Sequence, residues 1–157
     1  MVLTSLEDRF TRGFIAGIIG DVAMNLWNYI AYHVLNLTTM RLLDYASVML
    51  VGKKVFMLWE EIFFQLAQIF FSAAVGIFFS YLTEIINSKY YLLKSWFYSV
   101  GIWFFVFATG SLFKMPYIYK VPTQTAFANF IGSSIYGLVL GLTLHWLDNR
   151  VKASPSK

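Results

Sequence analysis

The chain predicts an all-α membrane protein: a four-transmembrane-helix antiparallel bundle with an interfacial or re-entrant helix between helices 1 and 2. Three observations point there. Apolar runs recur four times, over 13–37, 57–86, 91–113 and 125–147, and at ~1.5 Å per residue each exceeds the ~30 Å hydrocarbon core of a bilayer. Only 13% of the 157 residues are charged, against 59% hydrophobic and 20% aromatic, where soluble domains run nearer a quarter charged. The few polar residues inside the runs also fall at helical spacing, as with Asp21, Asn25 and Asn28 at i, i+4 and i+7.

The first span, 13–37, opens after Thr4-Ser5-Leu6-Glu7-Asp8, where Thr4 with Glu7 or Ser5 with Asp8 has capping-box spacing. Leu6, Phe10 and Phe14 recur four apart, so the first turns lie amphipathically in the interface, with Arg9 and Arg12 among headgroups. Gly13, Gly17 and Gly20 with Ala16 give a small-residue face on which a neighbour can approach closely. The run is too long for a signal core and contains Asp21, so it reads as a retained span. An interfacial helix over about 40–52 follows, with Leu42, Leu43, Ala46, Met49 and Leu50 at helical spacing and Gly52 closing it.

The second span, 57–86, repeats the pattern of the first. Glu61, Gln65, Gln68 and Ser72 share a face that Gly76 continues, and Phe63, Phe64, Phe70, Phe71, Phe78 and Phe79 form a face suited to lipid. Asn87-Ser88-Lys89 is a tight polar turn. The third span, 91–113, is dense in aromatics and carries Ser95, Tyr98, Ser99 and Thr109. A loop with Pro116 and Pro122 leads to the fourth span, 125–147, where Asn129, Gly132, Ser133, Tyr136, Gly137 and Gly141 make a small and polar face. Residues 148–157 form a polar, frayed tail to a single transmembrane domain covering 1–157.

Lys and Arg set the orientation. Seven lie at the amino end, the 87–94 turn and the tail (Arg9, Arg12, Lys89, Lys94, Arg150, Lys152, Lys157), against five on the other side (Arg41, Lys53, Lys54, Lys114, Lys120). That excess places both termini in the cytoplasm of a multi-pass protein. With no cysteine, thiolate metal sites and disulfides are excluded. The net charge of +4 is scattered, so no basic patch reads as a nucleic-acid surface. His33 and His145 fall near opposite surfaces by depth, so they do not share a metal. No nucleophile with a neighbouring base and no phosphate or dinucleotide loop is present, which gives no catalytic residue, metal ligand or cofactor site.

What remains is the polar interior. Counting depth from the helix ends puts Asn28 near Gln65, Asn25 near Gln68 and Asp21 near Ser72, with Asn129 at the level of Gln65 and Tyr98 at that of Asp21. Asp21, Asn25, Asn28, Glu61, Gln65, Gln68, Ser72, Tyr98, Asn129 and Ser133 are therefore the candidate site residues. One reading is structural: these groups hydrogen-bond one another and fix helix register in a non-enzymatic, accessory membrane protein. Its partners are membrane lipids and a second copy packed through the glycine faces. The alternative is a small channel, transporter or binder of protons, cations or a polar solute, titrating at Asp21 and Glu61, since intramembrane acids often mark such pathways.

Over nearly its whole length, through Phe10 to Asn25, Arg41-Leu42-Leu43-Asp44, the Glu61/Gln65/Gln68 face and Phe130 to Gly141, the chain resembles small uncharacterised four-span membrane proteins of anaerobic Gram-positive bacteria. The resemblance implies a bacterial cytoplasmic (inner) membrane protein. It implies no activity.

Overall fold

The computed structural model describes residues 8–86 and 90–153, except the side chains of 152 and 153. The readings above for Thr4, Ser5, Leu6 and Glu7, for the Asn87-Ser88-Lys89 turn and for the last four residues lie outside that range. Among the described residues there are five helices and no strand: α1 Arg9–His33, α2 Leu42–Val51, α3 Leu58–Ile85, α4 Tyr91–Leu112 and α5 Thr123–Ala153. Four of them, α1, α3, α4 and α5, are long and apolar enough to cross a membrane. At 10 residues α2 is too short to do so.

The helix ends differ from the apolar runs for local reasons. Asp8 caps α1 by accepting the N–H groups of Phe10 at 3.2 Å and Thr11 at 3.3 Å, so the helix starts at Arg9 and not at Gly13. It stops at His33, short of residue 37. There the Leu35 and Leu37 N–H groups turn back onto the carbonyls of Ile30 and Ala31, and Asn36 takes a left-handed φ of 51° that Asn tolerates. At the other extreme α5 continues to Ala153, so residues 148–153 are helical and not a frayed tail. Asp148 explains the extra length: Arg12 Nη1 reaches it at 2.8 Å and the Tyr91 hydroxyl donates to it at 2.6 Å, anchoring that turn to α1 and α4.

Helix α1 is the middle of the structure. It packs along α3 on one side and α5 on the other, α4 rests on α5 while barely touching α3, and α2 lies on α3. Small residues set these approaches. A Cβ at Gly76 would collide with the Gly13 carbonyl oxygen and stand 2.6 Å from Gly17 Cα; at Gly137 it would stand 2.7 Å from the Ser95 carbonyl oxygen. The glycine faces, read above as a route to a second copy, are thus occupied by the chain's own helices.

Two of the phenylalanines assigned to lipid turn inward. Neighbouring residues on a helix point about 100° apart, so in Phe63-Phe64 and Phe78-Phe79 the first is exposed and the second buried. Phe79 belongs to the main core with Ala16, Tyr136, Leu140 and Leu144. A second, smaller core joins Tyr45 and Val48 of α2 to Met40 and to Ile118 of the loop between α4 and α5.

Candidate functional site

The densest polar contact within the four long apolar helices is centred on Asp21, which is 2% exposed. One carboxyl oxygen accepts from Gln68 Nε2 at 2.7 Å and Ser72 Oγ at 2.6 Å, and the other from Asn25 Nδ2 at 2.9 Å. Asn25 Nδ2 also lies 3.1 Å from Gln68 Oε1, and Gln65 Nε2 reaches both Asn25 Oδ1 at 3.4 Å and Gln68 Oε1 at 3.2 Å. The 3.6-residue repeat stacks these side chains on facing stripes of α1 and α3, which the glycine contacts bring close enough to bond. From α5, the Tyr136 hydroxyl donates to the Ser72 carbonyl at 2.6 Å and closes the cluster.

The other candidate residues are placed elsewhere. Asn28 Oδ1 accepts the Leu42 N–H at 3.1 Å and so caps α2. Glu61 stands apart from Gln65 and Gln68 and accepts from Arg41 Nη1 at 2.7 Å. Arg41 also pairs with Asp44, whose carboxylate accepts the Arg41 backbone N–H at 2.9 Å. The hydrogen bond to Asp44 first, and Glu61 after it, hold the Arg41 guanidinium above its ordinary range, against burial pulling the other way. At the far end of α2, Lys53 reaches the buried Glu60 at 2.8 Å and Gly52 takes the left-handed φ of 74° that ends the helix. Charged clasps therefore seat both ends of α2 on the start of α3.

Ser99 and Ser133 bond reciprocally, each hydroxyl donating to the other's carbonyl at 2.7 and 2.9 Å, and so join α4 to α5. The Tyr98 hydroxyl donates to the Val75 carbonyl at 3.1 Å. Asn129 Nδ2 donates to the Tyr45 hydroxyl at 2.8 Å, across from α5 to α2. Burial pushes the Tyr45 hydroxyl up to about 12, the hydrogen bond from Asn129 opposing and the Asp44 carboxylate adding to it.

Because α3 and α4 hardly meet, a cavity of about 300 Å³ lies between them, roofed by α2. Phe71 and Val75 line it from α3, Trp103 and Phe107 from α4, and Tyr45 and Met49 from α2. Met49 and Phe71 stand well exposed and mark its mouth. Its lining includes no charged side chain, and Asp21 is not part of it. Polar groups in the lining come from Asn129, Ser133 and Tyr136 of α5, Ser99 of α4, Gln68 and Ser72 of α3 and Tyr45 of α2.

Several of these residues were not singled out from the sequence. Tyr45 stands three places after Leu42 on the apolar stripe of α2, a spacing that marks it as inward-facing. Trp103 carries an indole N–H that is buried without an acceptor among the described residues. Arg12, read as a headgroup anchor, is instead 8% exposed and paired with Asp148, the first residue of the stretch read as a polar tail. His33 packs at tilted and edge-on angles against Tyr29 and Tyr32, and His145 at a tilt against Tyr91. Among the described residues no group of three or more His, Cys, Asp or Glu is arranged to hold a metal ion. Compared with known proteins, the chain matches no family model, no curated protein and no solved structure.

Proposed function

We propose that the chain is a non-enzymatic accessory protein of a bacterial cytoplasmic membrane, crossing it four times as an antiparallel bundle with both termini inside. In this reading α2 lies at the outer interface and the Asp21 cluster is a lock that fixes the register of α1 on α3. The observation that carries it is the saturation of Asp21: each carboxyl oxygen accepts from a neighbouring side chain, and the residue is 2% exposed and off the cavity wall. A carboxyl on a solute pathway needs a face turned toward water. The excess of Lys and Arg at the two ends and the 87–94 turn supports the orientation.

The test is flux. Protein reconstituted in liposomes carries no proton or cation current above that of empty vesicles, and Asp21→Asn leaves that result unchanged. A current that Asp21→Asn or Glu61→Gln abolishes overturns the structural reading in favour of a channel or transporter.

A further inference from the structure

The cavity between α3 and α4 has a polar pair whose hydrogen-bonding capacity is not used up by the protein. Asn129 and Tyr45 are each 8% exposed, both line the cavity, and one bond joins them. A tyrosine hydroxyl and a primary amide together offer three donor hydrogens and several acceptor lone pairs. Among the described residues the Asn129 amide and the Tyr45 hydroxyl make no further side-chain bond. Whichever way the amide is turned, at least one N–H or O–H donor and one oxygen acceptor stay unused. In a low-dielectric interior such groups carry a penalty until something satisfies them. The buried Trp103 indole N–H, unpartnered among the described residues, is a further donor in the same lining.

The rest of the wall selects the remainder of the ligand. No charged side chain lines the cavity, so a phosphate, carboxylate or ammonium group entering it would lose its hydration without a counter-charge. Aromatic and aliphatic surface from Phe71, Trp103, Phe107 and Met49 suits an apolar body. At a water molecule's ~30 Å³ share, about 300 Å³ holds roughly ten water-sized groups, the bulk of a short alkyl chain or a bicyclic ring. Asn129 lies six residues into α5, about 9 Å along the helix, so the polar end would sit below the start of α5, under the cover of α2.

We propose that this cavity binds a neutral, membrane-soluble molecule whose single carbonyl or hydroxyl oxygen seats on the Tyr45–Asn129 pair while its apolar body lies among Phe71, Trp103 and Phe107. The site does not depend on the accessory role argued above, since it would operate equally in a protein that carried flux. Tyr45 remains a hydrogen-bond donor throughout the physiological range, because burial raises its hydroxyl further above neutrality.

The full chain in lipid nanodiscs is titrated with decanol, 2-decanone, decane and decanoate, and saturable binding is read from tryptophan fluorescence and thermal stabilisation. Decanol, 2-decanone or both bind saturably, and which of the two binds more tightly identifies the head as hydroxyl or carbonyl. Decane and decanoate bind at least tenfold more weakly. Tyr45→Phe and Asn129→Leu each weaken binding by about tenfold, the effect of one lost hydrogen bond in a dry site. Ala67→Phe fills the cavity from its wall, leaves the polar pair intact and removes binding of every probe. Equal binding of decane and decanol, or no saturable binding of either oxygen-bearing probe, overturns the proposal. So does unchanged affinity in the folded Tyr45→Phe or Asn129→Leu protein.

Discussion

Gln68 donates to Asp21 at 2.7 Å across 47 residues of sequence, and this bond ties α3 to α1. Replacing Asp21 tests how much the tie contributes. Asp21→Leu removes the acceptor of the Gln68 Nε2 and Ser72 Oγ donors and leaves both donors buried and unsatisfied, so it destabilises by about 3 kcal/mol. Asp21→Asn keeps one acceptor oxygen and costs about 1 kcal/mol, near the ordinary size of interhelical polar contacts in lipid. Reversible unfolding in mixed micelles measures both. Equal losses would show that the acceptor oxygens are not what matters.

The contact between α1 and α3 is backbone on backbone at Gly76. Gly76→Ala pushes a methyl into Gly13 and Gly17, neither of which can yield, and destabilises by about 2 kcal/mol. Gly101→Ala on the exposed side of α4 has open space around it, so it is neutral or gains up to about 1 kcal/mol from helix propensity. Melting temperatures of the two variants in one detergent move in opposite directions or differ by that margin.

Arg12 and Asp148 form an ion pair at 2.8 Å with side chains 9% and 17% exposed. Either Arg12→Met or Asp148→Leu alone strands the other charge and costs about 3 kcal/mol. Made together they cost far less than the sum, because no charge is left behind. A double-mutant cycle that came out additive would mean that the pair does not act as a unit.

Alkaline pH reports on Tyr45. Its hydroxyl is ordinarily near 10.0 and is raised to about 12 in the fold, so the protonated form is the one the folded state favours. The associated stability is fully present below about 10 and is lost as pH climbs from there towards 12, by up to about 3 kcal/mol at ~1.4 kcal/mol per unit. Tyr45→Phe flattens that part of the stability profile. The same alkaline slope in wild type and variant would assign it to other tyrosines.

The parts of the fold that were legible in sequence are those written along a single helix. Asp21 and Asn25, or Gln68 and Ser72, stand out as polar residues at helical spacing in apolar runs, and depth counting alone brings the two stripes level. The remainder depended on knowing which helices are neighbours. Asn28 and Glu61 lie on the predicted stripes yet bond to Leu42 and Arg41, because α2 folds over their end of the structure. Arg12 with Asp148, and Tyr45 with Asn129, are separated by 136 and 84 residues and meet only because α5 lies beside α1 and beneath α2. Phe64 and Phe79 went inward because the buried arc of α3 is wider than its polar stripe.

Helix α4 leans on α5 and has little hold on α3 beyond Phe79 against Tyr98 and the Tyr98 hydroxyl bond. The seam between α3 and α4 is therefore the thinly closed side of the cavity, while α5 is held to α1 by packing, to α3 through Tyr136 and Ser72, and to α2 through Asn129 and Tyr45. Exchanging the α4 side chains of the lining, Trp103 or Phe107, changes the room inside without touching any side-chain bond between α1 and α3. Firmness and capacity are consequently assigned to different helices, and selection can adjust one while leaving the other alone.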